Sequence, residues 1–269
     1  MKERITLTID ERLLKQVDAM VDGSLVKNSS HAVELLLGRG MGQQKLRKAL
    51  VLAGGPKSAE RALKVVGDKP VIEHNLDLLR KHDIRSVVIA APQADPAIKE
   101  ALGDGKRHGL EIMYVDEPVP LGTAGSLKFS KVHLPETFVM LNCDELKDVN
   151  LSDMYAHHRG SGALVTMALT AASDQRGYGQ AVLEGALIKS FVEKPEGPGA
   201  ASLINGGLYI MDPEVFDHIP EGFSMIEHDV FPALAGRGRL YGYIFSGQWF
   251  DTDTEKDLER ARRDWKGIG

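Results

Sequence analysis

The chain has 269 residues, 43% of them hydrophobic and 26% charged, with a formal net charge of -5 and a single cysteine, Cys143. That balance excludes a disordered or disulfide-stapled chain and leaves room for a large buried core, with two unequal domains expected. No apolar run reaches the roughly 18 residues of a membrane span, and the acidic excess gives no global attraction for nucleic acid, so a cytoplasmic protein is expected.

From Arg4 to Ile9 apolar and polar residues alternate, which predicts a half-buried strand. Asp10 then stands as an N-cap ahead of Leu13, Leu14, Val17 and Val21, apolar at helical spacing as far as Gly23. Asn28, Ser29 and Ser30 offer a second cap before Ala32, Val33, Leu35, Leu36 and Leu37, and Gly38 with Gly40 should stop that helix. One strand and two short helices cannot satisfy their backbone or enclose a core alone, so residues 1–40 are expected to fold as an intertwined homodimer.

Strand, capped helix, glycine turn and serine-capped helix together resemble the ribbon-helix-helix family. The resemblance implies a paired ribbon in the DNA major groove, with Arg4, Thr6 and Thr8 reading bases and Ser29 holding a phosphate. Residues 1–45 carry seven Lys/Arg against six Asp/Glu, and Ser30 and Glu34 stand where basic residues are frequent in that family. A dimerisation clip without DNA binding therefore stays open beside the operator-binding role.

Residues 41–48 read as a short glycine-containing linker, and residues 49–269 as an α/β domain. Ala49 to Ala53 is an apolar run ending at Gly54-Gly55, and a helix with Leu76, Leu78 and Leu79 separates it from a second apolar run, Val87 to Ala91. Strand, helix, strand predicts a parallel sheet. Further strands are expected at Glu111–Val115, Phe138–Asn142, Ala163–Leu169 and Leu203–Met211.

Seven motifs punctuate this domain in order: Leu52-Ala53-Gly54-Gly55, Lys69-Pro70-Val71-Ile72-Glu73, Leu121-Gly122-Thr123-Ala124-Gly125, Leu141-Asn142-Cys143-Asp144, Val192-Glu193-Lys194-Pro195, Ile204-Asn205-Gly206-Gly207-Leu208-Tyr209 and Trp249-Phe250-Asp251-Thr252-Asp253-Thr254. Taken singly, Asp144 or Asp251 reads as a helix cap and Lys194-Pro195 as a solvated turn. Taken together over residues 49–263, the motifs resemble the sugar-1-phosphate nucleotidyltransferases. The resemblance implies a Rossmann-like fold, a mixed and mostly parallel sheet flanked by helices, and attack of a sugar phosphate on the α-phosphate of a nucleoside triphosphate with release of pyrophosphate.

Such a reaction draws two phosphates together, so it needs a divalent cation and a positive side chain. Asp144 and Asp251 are the expected Mg²⁺ ligands, with Lys194 and Arg61 supplying positive charge. By the same resemblance Ala53, Gly54, Gly55, Lys57, Gly122 and Thr123 would contact the nucleotide, and Glu193, Asn205 and Gly207 the sugar. Between Gly55 and Arg61 the phosphate loop is shorter than the family's, and Arg61 stands where a lysine is usual. Two functions follow: an active transferase with a dimerising N-terminus, or a nucleotide sensor that controls DNA binding.

Glu117 precedes the Leu-Gly-Thr motif, where uridylyl- and thymidylyltransferases commonly carry glutamine, so the chain resembles the guanylyltransferases. A carboxylate only accepts hydrogen bonds, and guanine presents two adjacent donors. GTP and mannose 1-phosphate are the expected pair, with a solvated loop acid as the alternative for Glu117. The sequence ends soon after a helix containing Leu258 and Ala261, so a trailing repeat domain is not expected.

Overall fold

The computed structural model describes residues 6–21, 26–40, 46–54, 57–92, 96–117, 119–172, 177–195 and 203–269. They fall into two units, Met1–Lys45 and Leu46–Gly269. No helix among them is long and apolar enough to cross a membrane.

In the first unit, α1 (Glu11–Ala19) starts at Asp10, whose carboxylate accepts the Arg12 N–H at 2.9 Å. α2 (Ser29–Gly40) starts at Asn28, whose side chain accepts the His31 N–H at 2.9 Å. Both caps are those expected, but α1 stops at Ala19, short of Gly23, and α2 runs through Gly38 and Gly40. A glycine costs about 1 kcal/mol in a helix interior relative to alanine, too little to end a helix by itself. Thr6 to Ile9 lies in no strand, and Arg4 falls outside the described residues. A strand exists only through a partner's hydrogen bonds, and a single chain holds one copy of the ribbon. Val17 and Ala32 are buried, whereas Leu7, Leu13, Leu14, Leu36 and Leu37 are exposed.

The second unit begins with Leu46 in its core and Lys48 in its first strand, so the expected linker gives up its last three residues to the sheet. In chain order it contains β1 (Lys48–Leu52), α3 (Ser58–Ala62), the short hairpin of β2 (Val65–Val66) and β3 (Lys69–Pro70), α4 (Val71–Lys81), β4 (Ser86–Pro92), α5 (Pro96–Leu102) and β5 (Glu111–Glu117). Next come α6 (Gly122–Phe129), β6 (Phe138–Asn142), β7 (Glu145–Lys147), α7 (Leu151–Ser161), β8 (Val165–Thr170), β9 (Gln180–Glu184), β10 (Leu187–Val192) and β11 (Leu203–Met211). A π-helical turn at Ile226–Val230, α8 (Phe231–Gly236), β12 (Leu240–Ile244), β13 (Trp249–Asp251) and α9 (Glu255–Asp264) complete it.

Nine strands form one sheet in the order β5-β4-β1-β6-β11-β8-β12-β10-β9. From β5 to β6 all pairings are parallel, joined by helical crossovers as the alternating strand and helix pattern requires. Beyond β6 the sheet is mixed: β11 runs antiparallel to β6 and β8, and β10 antiparallel to β9 and β12. β12 still runs parallel to β8, so the sheet is mixed as expected, but parallel pairs hold no majority, which corrects the mostly parallel expectation. A hairpin such as β9-β10, joined by Gly185 at φ 61°, is antiparallel by geometry, and apolar runs alone do not report strand direction. Successive residues of β1, β6 and β11 alternate between two apolar clusters, one on each face, so the sheet is buried on both sides.

Candidate active site

The C-terminal ends of β1 and β6, the β7–β13 pair and the strands β10 and β11 converge on a cleft of about 640 Å³. Open α/β sheets place ligand crevices at such strand ends. Residues from three other segments fix the backbone around Asp144. The Asn75 amide in α4 donates to the carbonyls of Cys143 (3.2 Å) and Glu145 (3.0 Å), and the Cys143 N–H donates to the Leu52 carbonyl (3.2 Å). From the far end of the chain the Thr252 hydroxyl donates to the Asp144 carbonyl at 2.6 Å. Pairing of β13 with β7 sets Asp251 opposite Glu145.

Arg61 bridges these carboxylates. Its Nε and Nη2 donate to Asp144 at 2.9 and 2.6 Å, and its Nη1 lies 2.9 Å from Asp253. Burial pulls the guanidinium down, but Asp144 and Asp253 outweigh it and hold Arg61 above its ordinary value. Burial, then the charge of Glu145, raises Asp144 despite its arginine partner. The same two causes push Asp251 up to about 6, against hydrogen bonds from the Asp253 N–H and the Tyr178 hydroxyl. Burial and the crowding of carboxylates thus raise two acids that line one cleft.

Also in the cleft lining, Lys194 stands two residues beyond β10 with φ 43°, a left-handed conformation rare for a residue with a Cβ. It makes no ion pair within 4 Å among the described residues, and it lines the cleft beside Glu193 and Asn205. Asn205 accepts the Gly207 N–H at 3.0 Å and donates to the Tyr209 hydroxyl at 2.6 Å. Gly207 has φ 62°, and a Cβ there would collide with the Glu145 carboxylate. Beneath it the fully buried Lys147 ammonium donates to the Gly207 carbonyl at 3.0 Å and sits 3.5 Å from Glu145.

Gly122, with φ 76°, opens α6 against the Ser224 carbonyl, where a side chain would clash. The Thr123 hydroxyl donates to Glu227 at 2.7 Å and accepts the Ile226 N–H at 2.9 Å. Glu117 is only 2% exposed, so the solvated alternative fails. Burial raises its pKa against hydrogen bonds from Ser126 and the Leu121 N–H, and its Oε1 has no partner among the described residues.

Of the expected residues, Gly54, Arg61, Gly122, Thr123, Asp144, Glu193, Lys194, Asn205 and Asp251 line the one cleft. Ala53, Lys57, Glu117 and Gly207 are not in its wall: Ala53 is buried in the sheet, Lys57 is exposed, and Glu117 lies behind Ser126, which is in the wall. Gly55 lies outside the described residues. In the first unit Thr6 and Thr8 are exposed, and the Ser29 hydroxyl is taken by Asp18 at 2.6 Å rather than free for a phosphate. Sequence reasoning missed Glu145, Tyr178, Glu227 and Asp253; for Glu145, its place beside Asp144 was the available signal.

The nucleotidyl transferase family model matches residues 48–266. A mannose-1-phosphate guanylyltransferase catalytic subunit beta of Drosophila pseudoobscura pseudoobscura is 33% identical over 224 residues, covering 78% of this chain and 60% of that protein. The mannose-1-phosphate guanylyltransferase of Mycobacterium tuberculosis is 32% identical over 229 residues, covering 80% and 64%. The chain therefore spans about 60% of the length of the curated relatives it matches. A crystal structure of a glucose-1-phosphate thymidylyltransferase from Bacillus anthracis aligns with TM-score 0.72 and 24% identity over 81% of this chain and 94% of that one. HddC from Yersinia pseudotuberculosis complexed with GMP-PN aligns with TM-score 0.71 and 18% identity over 82% of this chain and 100% of that one. With the fold shared and the family model covering all but the first two and last three residues of the second unit, the chain belongs to the nucleotidyl transferase family.

Proposed function

We propose that this chain transfers a nucleotidyl group from a nucleoside triphosphate to a hexose 1-phosphate. The observation that carries the reading is one cleft lined by Asp144, Asp251 and Arg61 together with Lys194, Glu193 and Asn205. A sugar-phosphate oxygen would attack the α-phosphorus in line, forming one P–O bond while the bond to the β-phosphate breaks and pyrophosphate departs. Lys194 and Arg61 would offset the charge that builds as two anions meet. Glu193 and Asn205 would hold the sugar hydroxyls.

The donor set fits Mg²⁺: hard carboxylate oxygens from Asp144 and Asp251, both held above their usual range by burial and by the charge of Glu145. Two carboxylates would leave further positions on the cation to phosphate oxygens and water. When bound, the cation would neutralise phosphate charge. Arg61 holds Asp144 meanwhile, and its release would let the guanidinium turn to the phosphates.

GTP and mannose 1-phosphate are the favoured substrates. The names of the relatives support both, whereas Glu117 lies outside the cleft wall and adds no support for guanine. Pyrophosphate release from a panel of nucleoside triphosphates and hexose 1-phosphates tests the reaction, and competition among GTP, UTP, dTTP and ATP with Glu117→Gln tests the base. Tighter binding of UTP or dTTP than GTP would overturn the guanine assignment. Nucleotide binding without pyrophosphate release from any pair would favour a sensor.

For the first unit we propose a ribbon-helix-helix-like clip that pairs two copies. The exposed Leu13, Leu14, Leu36 and Leu37 support it, as does a helix pair with little core of its own. DNA reading has less support, since the Ser29 hydroxyl is engaged by Asp18. A sequence-specific shift abolished by Arg4→Ala with Thr6→Ala would restore it.

A further inference from the structure

Glu227 has no part in the chemistry above, yet its setting is that of a ligand-reading group. It sits in the π-helical turn Ile226–Val230, a backbone form that is rare and concentrated at functional sites. The turn is pinned at its start by the Met225 N–H donating to Asp229 at 2.7 Å and by the Ile226 N–H donating to Thr123. The Thr123 hydroxyl in turn donates to one carboxylate oxygen of Glu227, which fixes the rotamer.

The side chain lines the same cleft as Glu193, Lys194 and Asn205. Burial raises the Glu193 carboxyl, with the charge of Glu227 the next cause, and burial likewise raises Glu227. Two carboxylates thus share one chamber, with Lys194 and His228 beside them in its lining. Carboxylate oxygens there would accept hydrogen bonds from a ligand's donors. A ring carrying several hydroxyls supplies neutral donors at spaced positions.

We propose that Glu227 is a specificity-determining residue of the sugar subsite, accepting a hydrogen bond from a hydroxyl other than the one held by Glu193. The inference rests on the transferase reading above. Thr123 then joins the two halves of the cleft, since it stands in the motif assigned to the nucleotide and orients a residue that faces the sugar. A site built to accept from a hydroxyl discriminates strongly against an analogue lacking it.

The test uses the full chain with GTP, mannose 1-phosphate and its monodeoxy analogues. Glu227→Gln keeps an oxygen for the Thr123 hydroxyl and replaces the second acceptor by a donor. The expected result is a rise of about tenfold or more in KM for the sugar phosphate, with KM for GTP within about twofold. One monodeoxy analogue should be penalised in the unmodified protein and lose that penalty in Glu227→Gln, a pattern a merely structural role does not produce. Equal penalties in both proteins, or a change confined to KM for GTP, would overturn the assignment. If the unmodified protein releases no pyrophosphate with any sugar phosphate, the transferase reading falls and takes this inference with it; turnover with an unmoved sugar KM removes the inference alone.

Discussion

The two units of this chain solve the folding problem differently. In Leu46–Gly269 a sheet is covered on both faces, and residues such as Leu50, Leu76, Ile89 and Tyr209 are almost wholly inaccessible to solvent. In Met1–Lys45 the helices are well capped, but only Val17 and Ala32 among their described apolar residues are buried. Caps contribute about 1 kcal/mol each, far less than the conformational entropy of ordering some forty residues at 1–2 kcal/mol apiece. Local signals define the helices, and burial decides whether a unit stands alone. On the reading proposed above, the first unit would draw stability from a second copy, whereas the second unit carries its own core.

Removing residues 1–45 would test this most severely. Self-association is expected to disappear in sedimentation at micromolar concentration while pyrophosphate release persists; a truncated chain that stays dimeric would break the comparison. Next in size, Asp251→Asn should lower pyrophosphate release by about a hundredfold or more, the range seen when a preorganised charge-stabilising group is removed. The truncated and full chains should lose the same factor, because the site belongs to the second unit alone.

Leu76→Ala, at a position 1% exposed, should cost about 2–5 kcal/mol and lower the main unfolding midpoint. Asp10→Ala should cost about 1 kcal/mol and shift only the first unit, read as lost dimer rather than as a changed main transition. A main transition that moved with Asp10→Ala would show that the two units unfold together.

The smallest expected effect depends on pH. Burial works to raise Asp212, but the His158 ring 3.5 Å away and the Thr137 hydroxyl at 2.5 Å outweigh it and hold the carboxyl below its ordinary 3.8. A depressed folded-state value means that the stability from Asp212 is fully present above 3.8 and is lost as pH falls through that lower value. Asp212→Asn should therefore destabilise the second unit at pH 6, and the difference should close on acidification. A gap that widened in acid would contradict the sign.

Much of the molecule was legible from residues alone. Apolar runs located β1, β4, β5, β6, β8 and β11, Asp10 and Asn28 located two helix starts, and the ordered motifs located Asp144, Glu193, Lys194, Asn205 and Asp251. Those signals are local: side-chain period, a capping oxygen, a glycine where backbone must turn. What they omit is direction and partnership. The mixed sheet is as expected, but its parallel majority is not, because a buried strand has the same composition whichever way it runs. Arg61 was legible as a cation, but its bridge between Asp144 and Asp253 was not, since those acids reach it from different parts of the fold.

The sequence by itself determined the periodicities, the caps and the cast of polar residues, because each is set within a few neighbours along the chain. Only the tertiary structure decided that Glu145 lies opposite Asp251, that Glu117 is buried behind Ser126, and that a π-helical turn carries Glu227 into the cleft. These depend on long-range pairing and on the energetics of excluding water from charged groups, which no local pattern contains.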